Sequence, residues 1–214
     1  MDTEVKSHLR IAAIVAMLAF VLAALAAVPP AFAHAGPHYA FSLQSGLMHP
    51  VTGLDHMLAM VAVGLWAGFN GGRAVWVWPL AFVAAMLAGG AAGMAQIPVP
   101  FVEPGILASL VLLGLIVAMG LKAPTAVGTV LVALFALAHG YAHGAEIPVG
   151  ASVLAYAAGF AAATALLHLA GIAIVRTAGQ GAGLVAVRGA GALVAHPCCA
   201  LVLTPRKSPA NPKT

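Results

Sequence analysis

Long apolar segments, each close to the length of a membrane-spanning helix, follow one another along the chain with short polar links between them. Six of them cover residues 49–69, 74–94, 102–121, 125–143, 149–175 and 181–203. A helix needs about 20 apolar residues to cross the hydrocarbon core. Because lipid offers no partner for backbone polar groups, helices joined by tight turns are the expected structure. The pattern predicts an all-α, polytopic bundle of about six transmembrane helices, forming one domain over residues 34–203.

The N-terminal segment has the features of a signal peptide. Lys6 and Arg10 precede an apolar run over residues 11–28, and residues 31–33 supply a small-x-small cleavage pattern after two prolines. We predict that residues 1–33 are removed. An uncleaved anchor is the alternative, because the apolar run is long for a signal peptide.

Basic residues between the spans predict the orientation. Arg73, Lys122 and Arg176 occupy alternate links, whereas the links 96–101 and 144–148 contain no Lys or Arg. Basic residues concentrate on the cytoplasmic side of a membrane protein. The pattern therefore predicts a multi-pass protein of the bacterial inner membrane, with its mature N-terminus in the periplasm.

Composition excludes several other classes. Charged residues make up 7% of the chain and hydrophobic residues 63%, whereas a soluble domain carries about a quarter charged residues. The basic residues behind the net charge of +4 lie singly between the apolar runs and form no phosphate-binding patch there, so nucleic acid is not an expected partner. The chain also lacks a GxxxxGK[ST] phosphate loop, so it is not expected to hydrolyse ATP.

Small residues recur at a spacing of four along the spans. Gly64 and Gly68, Gly89 and Gly93, and Gly140 and Gly144 form three such pairs. Small residues one turn apart let helix backbones approach closely in lipid. The spacing predicts tight helix–helix contacts on these faces.

Ionisable side chains interrupt the apolar spans. An ionisable group in a span costs several kcal/mol unless it is paired, hydrated or liganded, so each one is a functional hypothesis. They are Asp55, His56, Glu103, His139, His143, Glu146 and His168.

Two groups of these residues have suggestive spacing. His49 and His56 are seven residues apart in the first span, so a continuous helix would place them on one face. Asp55 adjoins His56 and could accept a ring N–H or bind a cation itself. His139 and His143 are four residues apart in the fourth span, which stacks two imidazoles on one face. Imidazole and carboxylate ligands suit a borderline divalent metal such as nickel, copper, cobalt or zinc.

Five further residues are candidates for the same chemistry. Glu146 follows the histidine pair of the fourth span, and Glu103 begins the third span, where it could instead cap the helix. His168 is a candidate exit ligand or a hydrogen-bonding partner of a neighbouring helix. His34 and His38, beside a new amino terminus, could capture a cation loosely.

These motifs resemble the HupE/UreJ family of membrane accessory proteins of hydrogenase and urease systems. The most specific segments are residues 49–67 and 139–148, with weaker likeness at 102–104 and 159–171. The resemblance extends to about residue 195. It implies a signal peptide, six helices and nickel uptake, with the His and Asp of the first helix and the His and Glu of the fourth as metal-handling groups.

The resulting expectation is a permease that moves Ni²⁺, or Co²⁺, from periplasm to cytoplasm for hydrogenase or urease maturation. Such a protein is not an enzyme and holds no permanent cofactor, and nickel-enzyme maturation proteins are expected partners. A membrane metallo-enzyme with an open coordination position is one alternative. A proton-handling or structural partner in maturation, without transport, is the other.

The C-terminus departs from the expected pattern. Residues 196–199 read His-Pro-Cys-Cys, and a polar tail follows over residues 204–214. Its basic residues would lie outside, against the positive-inside rule. We hypothesise a divergent or frame-shifted terminus, so that residues 196–199 are not a metal site.

Overall fold

The computed structural model describes residues 43–145, 147, 152–179 and 181–203, without the side chains of residues 193, 194 and 196–203. The predicted signal peptide, His34, His38, Glu146 and the polar tail lie outside the described residues. The side chains of the two adjacent cysteines also lie outside them.

The described residues form helices and no strands, which confirms the all-α prediction. In chain order the helices are α1 (Leu43–Thr52), α2 (Leu54–Asn70), α3 (Ala74–Met94), α4 (Val102–Met119), α5 (Thr125–Ala145), α6 (Val153–Ala178) and α7 (Ala182–Leu203).

Four of these helices, α3 to α6, are long and apolar enough to cross a membrane. The pair α1 and α2 passes the same test when taken together as one broken span, and α7 contributes a shorter apolar stretch over residues 182–192. The chain is therefore a multi-pass membrane protein. Helix length and composition support five crossings at most in the described residues, so the sixth stays a prediction.

The first predicted span is not one continuous helix, and this prediction was wrong. The axes of α1 and α2 meet at 85°. The break falls at Gly53, whose backbone is extended (φ −90°, ψ 106°), three residues after Pro50. The hydroxyl of Thr52 donates to the carbonyl oxygen of His49 at 2.9 Å and so satisfies one carbonyl group at the end of α1. Because of the bend, His49 and His56 do not share a helix face.

Glycines allow the closest helix contacts, as their spacing predicts. A Cβ atom on Gly140 would collide with the carbonyl group of Met86, and one on Gly144 would collide with that of Gly90. These contacts hold α3 and α5 side by side in parallel. The same kind of contact joins Gly64 of α2 to the backbone of α6. Backbone proximity increases van der Waals contact, which supports association where apolar attraction is weak.

One end of the bundle is closed by two tryptophans. The rings of Trp66 and Trp78 have centroids 4.2 Å apart. Each indole N–H donates to a backbone carbonyl oxygen of the α4–α5 region, Trp66 to Leu121 and Trp78 to Thr125, both at 2.9 Å. This indole pair marks the closed end of the bundle.

Replacing Gly140 by Ala should destabilise the protein, whereas replacing Gly90 by Ala should not. At Gly140 the new methyl group meets backbone atoms of Met86, while at Gly90 the nearest atom lies at 3.6 Å, an ordinary contact. Overpacking of this kind costs about 1–3 kcal/mol. Thermal unfolding midpoints of the two variants in detergent provide the measurement. Equal midpoints would show that α3 and α5 do not approach this closely.

Candidate functional site

Four histidines from three helices meet at the end of the bundle opposite the indole pair. His49 comes from α1, His56 from α2, and His139 and His143 from α5. The His143 ring centroid lies 4.5 Å from that of His49 and 4.2 Å from that of His56. The His56 and His139 centroids are 4.6 Å apart. The two sequence pairs therefore form one group, which we call the histidine cluster.

The bend between α1 and α2 is what assembles this cluster. His143 contacts His49 on one side of the break and His56 on the other. A straight first helix could offer two rings from a single face, but it could not place them on either side of a third ring. Gly53 leaves room at the break, since a Cβ there would lie 3.2 Å from the His56 Nδ1 atom.

Several ring nitrogens in the cluster have no hydrogen-bond partner. Nε2 of His56, Nδ1 of His139 and Nε2 of His143 are buried and unpartnered. The one hydrogen bond between two rings of the cluster joins Nε2 of His49 and Nδ1 of His143, which are 2.9 Å apart. Leaving a buried polar atom unsatisfied costs about 1–3 kcal/mol. Such a group is retained only where another interaction or a function requires it.

Asp55 orients the ring of His56. Its Oδ1 atom lies 3.0 Å from Nδ1 of His56. A carboxylate accepts but does not donate, so Nδ1 carries the proton and Nε2, the unpartnered atom, carries the lone pair. The Asp55 side chain is 47% exposed, so it borders the cluster instead of facing its interior. Carboxylates commonly orient metal-binding histidines in this way.

Ser109 of α4 orients His139 and was missed by sequence reasoning. Its hydroxyl oxygen lies 2.6 Å from the carbonyl oxygen of Ile106 and 2.8 Å from Nε2 of His139. Two oxygens at 2.6 Å require the hydroxyl proton between them, so Ser109 donates to Ile106. His139 must then donate its Nε2–H to Ser109, which leaves a lone pair on the unpartnered Nδ1. A single serine in an apolar span carries no signal in the sequence.

The remaining candidates lie elsewhere. Glu103 is exposed in the first turn of α4, where a negative charge suits the helix N-terminus, and the described contacts do not join it to the cluster. His168 of α6 is completely buried beside Phe82, with ring centroids 5.0 Å apart. In the described part of the chain, no three His, Cys, Asp or Glu side chains already surround one point as metal ligands. The cluster rings pack edge to face instead.

An apolar cavity reaches the cluster from the side. It has a volume of about 230 Å³ and lies between α3, α5 and α6. His143 forms part of its wall together with Met86, Tyr156 and Phe160. The cavity gives the His143 ring free space on the side that borders it.

Comparison with known proteins identifies the family. The family model described as HupE / UreJ protein matches residues 21–201. The chain belongs to the HupE/UreJ family. Protein HupE of Rhizobium leguminosarum bv. viciae is 49% identical over 153 residues, which cover 72% of this chain and 80% of that protein. No solved structure matches the chain.

Membership in the HupE/UreJ family confirms the resemblance inferred from the histidine motifs. It places the chain among accessory membrane proteins of hydrogenase and urease, which are not an enzyme family. The HupE/UreJ match also runs to residue 201, past residue 195, where the resemblance was expected to stop. The match thus includes the His-Pro-Cys-Cys segment, and the divergent or frame-shifted terminus stays a hypothesis.

The hydrogen bonds of Asp55 and Ser109 predict opposite tautomers for two adjacent rings. In chelator-treated protein at neutral pH, His56 should carry its proton on Nδ1 and His139 on Nε2. Ser109→Ala should mix the His139 tautomers and lower the stability by about 1–3 kcal/mol, because a buried N–H loses its acceptor. Ser109→Thr, which keeps the hydroxyl, is the control. Nitrogen-15 NMR of histidine-labelled protein reports the tautomers, and an Nδ1–H signal from His139 in the wild type would contradict the assignment.

Proposed function

We propose that this protein is a permease that moves Ni²⁺ from the periplasm to the cytoplasm, where it serves hydrogenase or urease maturation. The observation that carries the proposal is the histidine cluster, with its buried and unpartnered ring nitrogens. Membership in an accessory family of nickel enzymes supports nickel as the cargo.

The donor set suits a passing late transition metal. Two lone pairs, on Nε2 of His56 and Nδ1 of His139, belong to neighbouring rings. A turn of the His143 ring away from His49 would exchange their hydrogen bond for a third donor. Imidazoles favour nickel, cobalt, copper and zinc over magnesium or calcium. Because the cluster rings are not already arranged around one point, binding would require this rearrangement and would be weak enough to permit release.

The finer topology belongs to the same proposal. We expect six crossings in the inner membrane, a cleaved signal peptide and an outer position for the cluster. His34 and His38 would recruit the ion at the outer surface, and Glu146 and Glu103 would add carboxylates near the entrance. His168, deeper in the bundle, would bind the ion on its way out. No permanently bound cofactor is required.

The membrane potential is sufficient to drive this movement. One charge crossing 100 mV releases about 2.3 kcal/mol, so a divalent cation gains about 4.6 kcal/mol. At about 1.4 kcal/mol per decade this supports roughly thousandfold accumulation. Coupling to ATP is therefore not needed.

His56→Ala should lower nickel uptake by at least about tenfold, since it removes a donor from the centre of the cluster. Uptake of radioactive nickel by cells expressing each variant measures the effect. Leu54→Ala is the matched control, because Leu54 lies on the same turn of α2 but is 53% exposed. Equal uptake by His56→Ala and the wild type would defeat the assignment of the site.

The same strains distinguish the other possible functions. A permease predicts that excess external nickel restores hydrogenase or urease activity in cells lacking the protein. A structural or proton-handling partner predicts no such rescue. A membrane metallo-enzyme predicts tightly held metal that does not exchange with radioactive nickel in the purified protein.

Collapse of the membrane potential should abolish accumulation. In proteoliposomes with an inside-negative potassium diffusion potential of about 100 mV, internal nickel should exceed external nickel by up to roughly a thousandfold. At zero potential the ratio should approach one. A ratio that does not change with the potential would show that another gradient drives the ion.

A further inference from the structure

A second group of buried polar atoms lies deeper in the bundle than the histidine cluster. The hydroxyl of Thr164 lies 3.4 Å from Sδ of Met60 and 3.7 Å from Sδ of Met86. These residues come from α6, α2 and α3, and each is at most 2% exposed. A threonine hydroxyl has one proton and donates to one sulfur at a time. It therefore holds two thioethers side by side without using all of their lone pairs.

His168 lies one turn further along α6 from Thr164. Its side chain is 0% exposed, and both of its ring nitrogens are unpartnered. A neutral imidazole always has one N–H to donate and one lone pair to accept, so this ring leaves both unused. Because neither ring nitrogen has a partner, His168 is the strongest candidate for a ligand-binding side chain at this depth.

The helices keep these groups in one order of depth. On α2, Met60 follows His56 by one turn, and on α6, His168 follows Thr164 by one turn. Phe82 lies beside both sites, with its ring centroid 6.3 Å from that of His139 and 5.0 Å from that of His168. The order from the cluster inwards is thus imidazoles, thioethers with a hydroxyl, and a single imidazole.

We propose that Met60, Met86 and His168 form a second metal-binding station, which receives Ni²⁺ after it leaves the histidine cluster. Thr164 is a positioning residue that holds the two thioethers. The inference rests on the permease function proposed above. The indole pair lies beyond His168 and closes the path at that end of the bundle, so the ion would pause at this station before release.

The donor chemistry of this station implies selection among cations. Thioethers and imidazole are soft to borderline donors, whereas magnesium and manganese prefer carboxylate, carbonyl and water oxygens. All three donors are uncharged, so a divalent ion would be held weakly and could leave. A multi-site path with weak binding at each site favours conduction over storage.

Removing the two thioethers while keeping their volume tests the station. The full chain carrying Cys198→Ala and Cys199→Ala excludes thiolate sulfur as a ligand. In this background, Met60→Leu with Met86→Leu removes both sulfurs by a substitution that usually costs less than about 1.5 kcal/mol. Met57→Leu is the matched control, because Met57 is 3% exposed on the same helix but is not one of the two sulfurs that Thr164 contacts.

Two measurements are made on purified, nickel-loaded protein and on proteoliposomes. Nickel-edge X-ray absorption should show a sulfur scatterer in the cysteine-free parent and in Met57→Leu, and none in the double leucine variant. Uptake of radioactive nickel by the double variant should fall at least about tenfold, with nitrogen scattering from the histidine cluster retained. His168→Leu should reduce uptake similarly and leave the protein folded, since it removes an unsatisfied buried group.

The outcomes separate the two proposals. Failure of the unaltered chain to accumulate nickel would overturn the permease function. Normal accumulation without a sulfur scatterer, or unchanged uptake by the double leucine variant, would overturn the second station alone. Equal losses in Met57→Leu and the double variant would show a packing effect and would also overturn it.

Discussion

The central physical constraint in this protein is the burial of histidine nitrogens that have no hydrogen-bond partner. Several such atoms lie inside one helical bundle, and each costs about 1–3 kcal/mol. Helix packing must supply the compensating stability. The close backbone contacts at Gly140, Gly144 and Gly64 do so. A tightly packed frame thus keeps these ring nitrogens buried away from water.

Backbone geometry sets the positions of the rings in the histidine cluster, and neighbouring side chains set which ring nitrogen is protonated. The break at Gly53 places two rings on either side of His143. Asp55 and Ser109 then decide which nitrogen of His56 and His139 carries the proton. Each hydrogen bond to one side of a ring leaves the lone pair on the other side. Orientation by such partners is common at metal sites.

The type of metal ligand changes with depth along the proposed transport path. An ion entering from the periplasm would meet carboxylates and imidazoles first, and thioethers with one further imidazole afterwards. Every donor on the buried part of this path is neutral when the histidines are neutral. The charge of a passing divalent cation would therefore be balanced only weakly along the way, so the membrane potential, not tight binding, would set the direction.

The sequence alone predicted the all-helical membrane class and the long helices α3 to α6, because apolar length and helical periodicity are properties of neighbouring residues. It also predicted that His139 and His143 lie on one helix face, since they are one turn apart. The family was predicted from the resemblance of the histidine motifs. The broken first span was not predictable in this way. A proline and a glycine are both tolerated in continuous membrane helices, so residues 50 and 53 did not predict the 85° bend that the structure shows. The role of Ser109 and the approach of Met60 to Thr164, 104 residues away, were decided by tertiary structure alone, since contacts between helices leave no period in the sequence.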